Sequence, residues 1–424
     1  MKLHSNSLSL LRLLLLVVCV SFNVSTPTTS ATNTPSCASL DHTNIIDAVN
    51  CTPTKFNNLT AYVTLVSGSS ISTMGYVIGA LALGESLANA DPGRRRLCMV
   101  TPETYPSAKA VLVSSGLWEV FEADAPKRLR STDDTATDDT ATDDNPTDDN
   151  PTDAQKLAHT FTKLRIFDSR VHTLAQLDIF VFIDADAFVR QNQNHPRDDN
   201  DDDNRSTHKI ASLFERDQTD ASSYPIAAAQ NIPLPRCVTF ADGTERCYST
   251  TTEFNTGVLR IVPGPTLYKE LRIYDMLYRD ATSFNLPWEK WSTDQAVLNE
   301  LLDFETVRTL HVRYNTLICC SFYDTRLIDA ASNAVIAHFS LSTMFKPWEF
   351  MRYERIVMTG NRTTAEYISA GVVAPFHLPE SIHHDVYIEW KKFAEAGMLK
   401  LGDEELKTVE AYILREKDYF LSRK

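Results

Sequence analysis

Several features that mark common classes of protein are missing from this chain of 424 residues. No two cysteines have the Cys-x-x-Cys spacing that many zinc domains use, so a structural zinc site is not expected. There is no stripe of lysine and arginine, and therefore no signal for nucleic-acid binding. The largely apolar stretch near the N-terminus, 13–22, has only ten residues, which is short for a membrane-spanning helix. A membrane association is therefore expected only if this stretch is retained as an anchor.

The net charge of −14 is concentrated in two short segments. Residues 131–153 contain nine aspartates in a five-residue repeat, and residues 198–203 contain five more. These fourteen aspartates account for the whole excess, so the remainder of the chain is balanced. We predict that 131–153 is a disordered acidic insert and that 197–204 is a second acidic loop.

The N-terminus has the pattern of a secretory leader. Lys2 and Arg12 accompany the short apolar stretch, which is typical of a signal peptide over residues 1–26; an uncleaved signal anchor is the alternative. In either case we expect the body of the protein in the lumen of the secretory pathway, in the Golgi in particular, and outside the cell if the leader is cleaved. Glycosylation sequons agree with this compartment and occur at Asn23, Asn50, Asn58, Asn204 and Asn361.

Seven cysteines remain after the leader, so at least one thiol is unpaired. Cys237 and Cys247 flank a hairpin-like segment that a disulfide could close. Cys37 and Cys51 could join the ends of a loop in the N-terminal extension, residues 27–59.

Residue 61 begins an alternation of apolar strands and helices that is typical of a wound α/β sheet. We predict a catalytic or binding domain over residues 60–350 and a C-terminal helical extension over 351–424. Predicted strands cover 61–66, 96–100, 119–123, 179–183, 255–261 and 335–339; predicted helices cover 74–90, 106–116, 162–174, 266–279, 388–396 and 404–421, with another that begins at 294.

Two carboxylates, Asp184 and Asp186, follow the apolar run 179–183. Alternate residues of an extended strand project to the same side, so both carboxylates can approach one ion. Mg²⁺ and Mn²⁺ are the cations that such oxygen ligands favour, usually with substrate phosphates completing the shell. An acidic turn at the end of a strand is the alternative. On these residues alone, a divalent-cation site and a turn explain the motif equally well.

Four further residues could complete such a site. His338 ends the last apolar strand, and an imidazole added to two carboxylates suits Mn²⁺ better than Mg²⁺. Lys163 and Lys346 could bind phosphate. Asp294 begins an amphipathic helix. The alternatives are a structural histidine, solvated lysines and a helix-capping aspartate.

Six motifs in this order resemble those of glycogenin-like family 8 glycosyltransferases. The resemblance covers roughly residues 60–350, and its strength lies in the ordered set because no single motif is specific. The motifs are Ala61-Tyr62-Val63-Thr64-Leu65, Phe161-Thr162-Lys163-Leu164, Val181-Phe182-Ile183-Asp184-Ala185-Asp186, Phe254-Asn255-Thr256-Gly257-Val258, Asp294-Gln295-Ala296-Val297-Leu298-Asn299, and His338-Phe339 with Lys346-Pro347-Trp348.

The resemblance implies a GT-A-type fold, which is a Rossmann-like mixed sheet with helices on both faces. It also implies a UDP-sugar donor, Mn²⁺ with Mg²⁺ as the alternative, and transfer with retention of the anomeric configuration. By position, Asp184, Asp186 and His338 resemble the metal ligands. The residues that resemble donor-binding positions are Leu65, Val66, Ser67, Lys163, Ala185, Asn255 and Lys346, and those that resemble the catalytic pair beside the donor sugar are Asp294 and Gln295.

Some positions depart from the family pattern. The stretch 340–345 lengthens the interval between the histidine and the lysine, and Trp291 stands where a family aspartate is common. The sugar is therefore open among UDP-glucose, UDP-galactose and UDP-N-acetylglucosamine, and the acceptor is an unknown glycan or protein. Retention could come from double displacement on a carboxylate or from departure and attack on one face.

Two other functions remain as alternatives. A haloacid-dehalogenase-like phosphatase also has Asp-x-Asp after a strand, but Phe188 stands where that family needs threonine. The second alternative is a secreted sugar-nucleotide or glycan-binding module without turnover.

Overall fold

The computed structural model describes twelve stretches of the chain, all within one unit formed by residues 57–424. The predicted leader, both acidic inserts, Trp291 and the pair Cys37 and Cys51 lie outside them. The described stretches are 59–124, 161–191, 210–215, 224–231, 237–239, 245–247, 253–271, 294–302, 307–318, 332–340, 346–359 and 382–415.

Twelve strands within these stretches form three sheets. Their bounds are β1 (Thr60–Val66), β2 (Arg95–Val100), β3 (Glu119–Glu122), β4 (Ile179–Ile183), β5 (Ala187–Val189), β6 (Ile226–Gln230), β7 (Cys237–Thr239), β8 (Glu245–Cys247), β9 (Phe254–Ile261), β10 (Val307–Leu310), β11 (Thr316–Leu317) and β12 (Ile336–His338). The central sheet has seven strands in the order β10-β6-β9-β4-β1-β2-β3, the second has the order β11-β12-β5, and β7 pairs with β8.

Within the central sheet β9 runs antiparallel to both of its neighbours, β4 and β6, and the other pairs are parallel. In consequence β9 begins at the edge where β1, β2 and β4 end. Side chains at the start of β9 therefore lie at the edge where open α/β sheets bind ligands.

Seven α-helices are found in the described stretches. They are α1 (Thr73–Ala90), α2 (Pro106–Ser114), α3 (His172–Ala175), α4 (Asp294–Leu301), α5 (Pro347–Thr359), α6 (Ile382–Met398) and α7 (Asp403–Leu414). Shorter 3₁₀ segments are Thr162–Phe167, Ile210–Phe214 and Val312–Tyr314, and Thr266–Leu271 is a π-helical turn. None of the helices in these ranges combines the length and hydropathy needed to span a bilayer.

Helices cover both faces of the central sheet. Alternate strand residues enter two separate cores: Tyr62 and Val181 join the first, and Val63 and Phe182 join the second. Helices α1, α2, α5, α6 and α7 contribute to the first core, and α4 with the segment Thr162–Phe167 contributes to the second. The predicted mixed α/β sheet with helices on both faces is confirmed.

The C-terminal helices belong to the first core rather than standing apart from it. Tyr387 and Trp390 on α6 are fully buried, and the Trp390 ring contacts Phe339 at a centroid distance of 6.4 Å. Helix α6 packs along α1, where Gly397 lies so close to Leu81 that an added Cβ would be 3.0 Å from the Leu81 Cβ. The glycine therefore permits the close approach of the two helices.

The predicted helix over 162–174 is replaced by the 3₁₀ segment Thr162–Phe167, a turn and the short helix α3. Asp168 explains the interruption. Its buried carboxylate accepts the backbone N–H of Arg170 at 3.0 Å and pairs with the guanidinium groups of Arg165 and Arg170. A side chain that binds the backbone two residues ahead forms a turn and competes with helix formation.

The hairpin β7–β8 places Cys237 and Cys247 directly opposite each other in its register. That pairing agrees with the disulfide predicted between them. Cys98 is a free, fully buried thiol in β2. Burial raises the pKa of the Cys98 thiol, so it is unreactive in the folded protein.

Candidate metal centre

The turn after β4 holds the two aspartates at the ligand-binding edge of the sheet. The backbone N–H of Asp184 donates to the Gly257 carbonyl at 2.8 Å, which ties the end of β4 to the start of β9. The Ala187 N–H donates to the Asp184 carbonyl at 3.0 Å and closes the turn. The Ala185 carbonyl packs against Gly79 of α1, where an added Cβ would lie 2.2 Å from it. The turn is therefore held by backbone contacts on both sides.

His338 joins the aspartates because β12 pairs antiparallel with β5, which places His338 opposite Ala187. Its Nε2 lies 3.2 Å from Asp186 Oδ1 and 3.9 Å from Asp184 Oδ2. One ligand atom from each of these three residues lies within 4.8 Å of the others. Two carboxylates and one imidazole in this spacing fit a divalent cation, and the mixed oxygen and nitrogen set favours Mn²⁺.

A chain of amides sets the orientation of the imidazole. His338 Nδ1 lies 2.8 Å from Asn315 Oδ1, and Asn315 Nδ2 donates to Asn255 Oδ1 at 2.7 Å. Asn255 Oδ1 also accepts the Gly257 N–H at 2.9 Å. With its Nδ1 proton donated to an amide oxygen, the histidine presents the Nε2 lone pair to the aspartates, which is the tautomer a metal needs. Asn255, which was predicted to contact the donor, bonds to Asn315 and Gly257 and thereby supports the histidine.

Asn315 was missed in the sequence because it follows no strand pattern and belongs to no recognised motif. It is 1% exposed and lies between the segment Val312–Tyr314 and β11. A single asparagine in a mixed polar and apolar stretch is too common to identify a site.

Lys163 connects two carboxylates from different elements. Its Nζ lies 2.9 Å from Asp184 Oδ1 and 2.8 Å from Asp294 Oδ2. Thr256 is the other partner: its hydroxyl donates to Asp294 Oδ2 at 2.9 Å, and its carbonyl oxygen lies 3.4 Å from Lys163 Nζ. The lysine is thus buried inside the site, contrary to the alternative of a solvated side chain.

Lys346 pairs with the second aspartate. Its Nζ donates to Asp186 Oδ2 and, at 3.0 Å, to the carbonyl of Phe339. Lys346 is 7% exposed and Lys163 is 6% exposed, so both ammonium groups are largely shielded from water. Each aspartate of the motif therefore has its own buried lysine.

The two aspartates differ in their acidity. Burial raises the pKa of Asp184 to about 6, against the opposing effect of Lys163. Burial would also raise the pKa of Asp186, but Lys346 and His338 outweigh it and hold that pKa well below its usual range. The pKa of each lysine is raised because the neighbouring carboxylates outweigh burial. At neutral pH both carboxylates are predominantly ionised and both lysines are charged.

Charge balance shows what the site can hold. Among the described residues of the site, Asp184, Asp186 and Asp294 face Lys163 and Lys346, so one negative charge is in excess when His338 is neutral. A divalent cation would reverse this to one excess positive charge. A site of that sign can hold an anion such as a diphosphate.

Helix α4 brings Asp294 and Gln295 to the same edge. Gln295 Oε1 accepts the Thr256 N–H at 3.3 Å. Asn299, one turn further along, donates from Nδ2 to the Phe254 carbonyl at 2.8 Å, and its Oδ1 accepts the Phe254 N–H at 2.8 Å. These bonds fix α4 against the first residues of β9. The Asp294 carboxylate binds Lys163 and Thr256, which is a role beyond helix capping.

The remaining predicted residues lie at the end of β1, beside β4. Thr64 donates from its hydroxyl to the Ile183 carbonyl at 2.8 Å, which places Leu65 and Ser67 at the same edge as the aspartates. Leu65 and Ser67 are half-buried, whereas the Val66 side chain is fully buried in the first core. Val66 is therefore a core residue.

Two aromatic residues lie near Lys346. The Tyr76 ring of α1 lies 4.9 Å from the Trp348 ring, and Tyr76 is 40% exposed. Gly75 and Gly79 make room for the indole, since an added Cβ would lie 2.4 Å from Trp348 Nε1 and 2.8 Å from its Cζ3. Tyr76 was not among the predicted site residues, because a tyrosine inside an apolar helix resembles core.

No protein-family model matches the sequence, and the sequence has no significant match among curated proteins. Comparison of the structure finds remote likenesses to glycosyltransferases. The bifunctional glycosyltransferase WbbM has 16% identity and a TM-score of 0.42, over 69% of this chain and 47% of its own. GlyE of Streptococcus pneumoniae has 16% identity and a TM-score of 0.42, over 81% of this chain and 64% of its own.

The galactosyltransferase LgtC, in a complex with donor and acceptor sugar analogues, has 15% identity and a TM-score of 0.38. That match covers 74% of this chain and 100% of LgtC. This chain thus spans about half of WbbM and somewhat under two thirds of GlyE. At these identities and TM-scores the likenesses are remote.

Proposed function

We propose that this protein is a metal-dependent, retaining glycosyltransferase that transfers a hexosyl unit from a UDP-sugar to an acceptor in the secretory pathway. The observation that carries the proposal is the meeting of Asp184, Asp186 and His338 with two buried lysines. The ordered motifs that resemble glycogenin-like family 8 enzymes include these residues, and they add the expectation of UDP and Mn²⁺.

The charge balance of the site gives the physical reason for a metal. Without one, the three carboxylates outnumber the two lysines, and an incoming diphosphate would be repelled. A bound Mn²⁺, with Mg²⁺ as the alternative, would supply Lewis-acid stabilisation of the leaving diphosphate. Asp184, Asp186 and His338 would hold it, with Nε2 of the histidine kept free by the hydrogen bond from Nδ1 to Asn315.

The protein's own residues would then act on the donor. Lys346 would bind the diphosphate and stabilise the charge that develops on it as the glycosidic bond breaks. Asp294 and Gln295 would lie beside the donor sugar, and Leu65 and Ser67 would contact the uridine at the end of β1. Lys163 keeps Asp294 and Asp184 in place through its two ion pairs.

For the stereochemical course we propose departure of UDP and attack by the acceptor on one face of the sugar. Double displacement needs a carboxylate that is free to attack the anomeric carbon. In Asp294, Oδ2 already accepts hydrogen bonds from Lys163 and Thr256, which lowers its nucleophilicity. The one-face route needs no protein nucleophile.

The proposal is tested by UDP release. The purified protein is incubated with UDP-glucose, UDP-galactose, UDP-N-acetylglucosamine and UDP-glucuronate, with and without Mn²⁺, and with a panel of glycan acceptors. We expect release from at least one hexosyl donor that requires the metal. Asp186→Asn, which keeps the shape of the side chain but removes its charge, should reduce the rate at least about 100-fold.

Two results would contradict the proposal. One is the absence of binding and turnover for every UDP-sugar, and the other is full activity of the Asp186→Asn protein. Binding of a UDP-sugar without turnover for any acceptor would instead favour the alternative of a binding module.

A further inference from the structure

Helix α5 begins at the candidate site and carries an ion pair between Glu349 and Arg352. Lys346 immediately precedes the helix, and Trp348 lies in its first turn. The backbone N–H of Glu349 donates to the Lys346 carbonyl at 3.1 Å. The position of Glu349 is therefore coupled directly to that of Lys346.

Arg352 is the charged partner of Glu349 and is completely buried, at 0% exposure. Its Nη1 donates to Glu349 Oε2 at 2.9 Å. Its Nη2 donates at 2.8 Å to the carbonyl of Arg415, the residue that caps the C-terminal end of α7. A cation at the C-terminus of a helix is favoured by the helix dipole, so Arg352 joins α5 to the end of α7.

Tyr412 of α7 completes the contact. Its hydroxyl donates to Glu349 Oε1 at 3.2 Å, and its ring lies 4.6 Å from the Arg352 guanidinium carbon. It also packs against α1, since a Cβ added at Gly75 would lie 2.9 Å from the hydroxyl. We name the set of Glu349, Arg352 and Tyr412 the α5–α7 latch.

Stability alone does not account for the latch. Removing a guanidinium group from water is costly, and an apolar side chain of similar size often serves a core as well or better. Among the residues that the structure describes, none forms a hydrogen bond with the Arg352 Nε, so the group is not fully compensated there. What the charged set provides is a fixed orientation of the Glu349 side chain. Each of its carboxylate oxygens accepts a hydrogen bond, one from Arg352 and one from Tyr412, and both donors connect it to α7.

We infer that the α5–α7 latch positions Lys346 for the donor diphosphate, so that the C-terminal helix α7 controls donor affinity without touching the donor. The inference rests on the proposed function, in which Lys346 binds the diphosphate. Arg352 and Tyr412 are positioning residues, because they act through Glu349 and the first turn of α5.

Tyr387 offers a matched control, because it also bonds to a glutamate of α5. Tyr387 of α6 is also buried, and its hydroxyl donates to Glu354 Oε2 at 2.7 Å. Glu354 lies more than one helical turn beyond Glu349 and is therefore further from Lys346.

Tyr387→Phe and Tyr412→Phe therefore remove the same group from the same kind of bond to α5. The Tyr412 hydroxyl bonds to Glu349 in the first turn of α5. The Tyr387 ring contacts Phe350 of that turn at a centroid distance of 4.4 Å, and Tyr387→Phe keeps this ring contact while it removes the bond to Glu354.

The experiment compares wild type with Arg352→Met, Arg352→Lys, Tyr412→Phe and Tyr387→Phe. Calorimetry measures UDP affinity in the presence of Mn²⁺, electron paramagnetic resonance measures the affinity for Mn²⁺ alone, and hydrogen exchange follows the peptide over residues 346–352. We expect Arg352→Met to weaken UDP binding about tenfold and Tyr412→Phe by a smaller factor. Mn²⁺ affinity should be unchanged, and Arg352→Lys should recover part of the loss.

The control decides the outcome. The inference is supported if UDP affinity falls in Arg352→Met and Tyr412→Phe but not in Tyr387→Phe, with faster exchange at 346–352 only in the first two. It is overturned if a folded Arg352→Met protein binds UDP normally, or if Tyr387→Phe weakens UDP binding equally. If Arg352→Met does not fold, Tyr412→Phe against Tyr387→Phe gives the answer.

Failure of the proposed function would be distinct. In that case wild type would bind no UDP with any metal, and the exchange data alone would decide. Faster exchange at 346–352 in Tyr412→Phe than in Tyr387→Phe would support positioning by the latch, and equal exchange would overturn it.

Discussion

Gly257 shows how tightly the residues of the candidate metal centre are packed. It lies in β9, where its carbonyl binds the Asp184 N–H. A Cβ at this position would be 2.1 Å from His338 Cε1 and 2.5 Å from Nδ1, and both distances are steric clashes. The glycine is thus required by the histidine ring next to it and not by an unusual backbone angle.

Gly257→Ala should displace the His338 ring and break its hydrogen bond to Asn315. Because partners that orient a metal ligand typically contribute 10–100-fold to metal affinity, we expect Mn²⁺ binding to weaken by about that factor. Titration of the protein with Mn²⁺ by electron paramagnetic resonance measures the change. Gly264→Ala is the control, because nothing lies within 4 Å of a Cβ there. Equal Mn²⁺ affinity in both variants would refute the steric argument.

At the scale of elements, the site depends on how α4 is attached to β9. Asn299 makes three side-chain hydrogen bonds: two to Phe254 of β9, and one to the Gln295 carbonyl at 2.9 Å within its own helix. Because β9 is antiparallel to β4, the residues it begins with lie beside the aspartates. A displacement of α4 relative to β9 would therefore move Asp294 away from Lys163.

Asn299→Ala should lower the free energy of unfolding by about 2 kcal/mol, since it leaves the Phe254 N–H and C=O without their partner. Chemical denaturation measures the loss. Asn89→Ala is a matched control, because Asn89 is also helical and its Nδ2 donates within the same helix to the Glu85 carbonyl, at 3.0 Å. We expect a change below about 0.5 kcal/mol for this exposed position. Similar losses in the two variants would show that the bonds to β9 add nothing.

At the scale of the whole molecule, helices α6 and α7 complete the core that supports α1 and α5. Residues that are fully buried on α6 are Val386, Tyr387, Trp390 and Ala394. Burial of one large apolar side chain contributes about 1.5–3 kcal/mol, and the net stability of a domain is only about 5–15 kcal/mol. Loss of these helices would therefore remove a large fraction of the total.

Deleting residues 382–424 should abolish the cooperative thermal transition and make the protein aggregate. Differential scanning calorimetry and size-exclusion chromatography measure both effects. A stable, active protein after this deletion would contradict the assignment of α6 and α7 to the core.

Deleting the acidic insert 131–153 should leave the melting temperature and UDP release unchanged, because we predict that segment to be a solvated loop. Loss of metal affinity after this deletion would contradict the prediction for the insert.

Several features of this protein follow from patterns within short windows of sequence. Strand β4 was predicted with its observed bounds, and the predicted limits of β1, α1 and β2 differ by one residue. The alternation of side chains in a strand and the helical repeat are local, so a few residues suffice to reveal them. The pair of aspartates after β4 could be identified for the same reason, and the ordered motifs could name its partners.

Contacts between distant segments could not be predicted in this way. Asn315 lies 60 residues from Asn255 and 23 from His338, and it joins them because β11 and β12 pair in the second sheet. The pairing of each aspartate with one lysine, and the closure of α7 on α5, likewise depend on strand order and helix packing. Local sequence determines which side chains can bind a cation. Their burial and their hydrogen-bond and ion-pair partners, which determine their charge and orientation, arise only when the chain has folded.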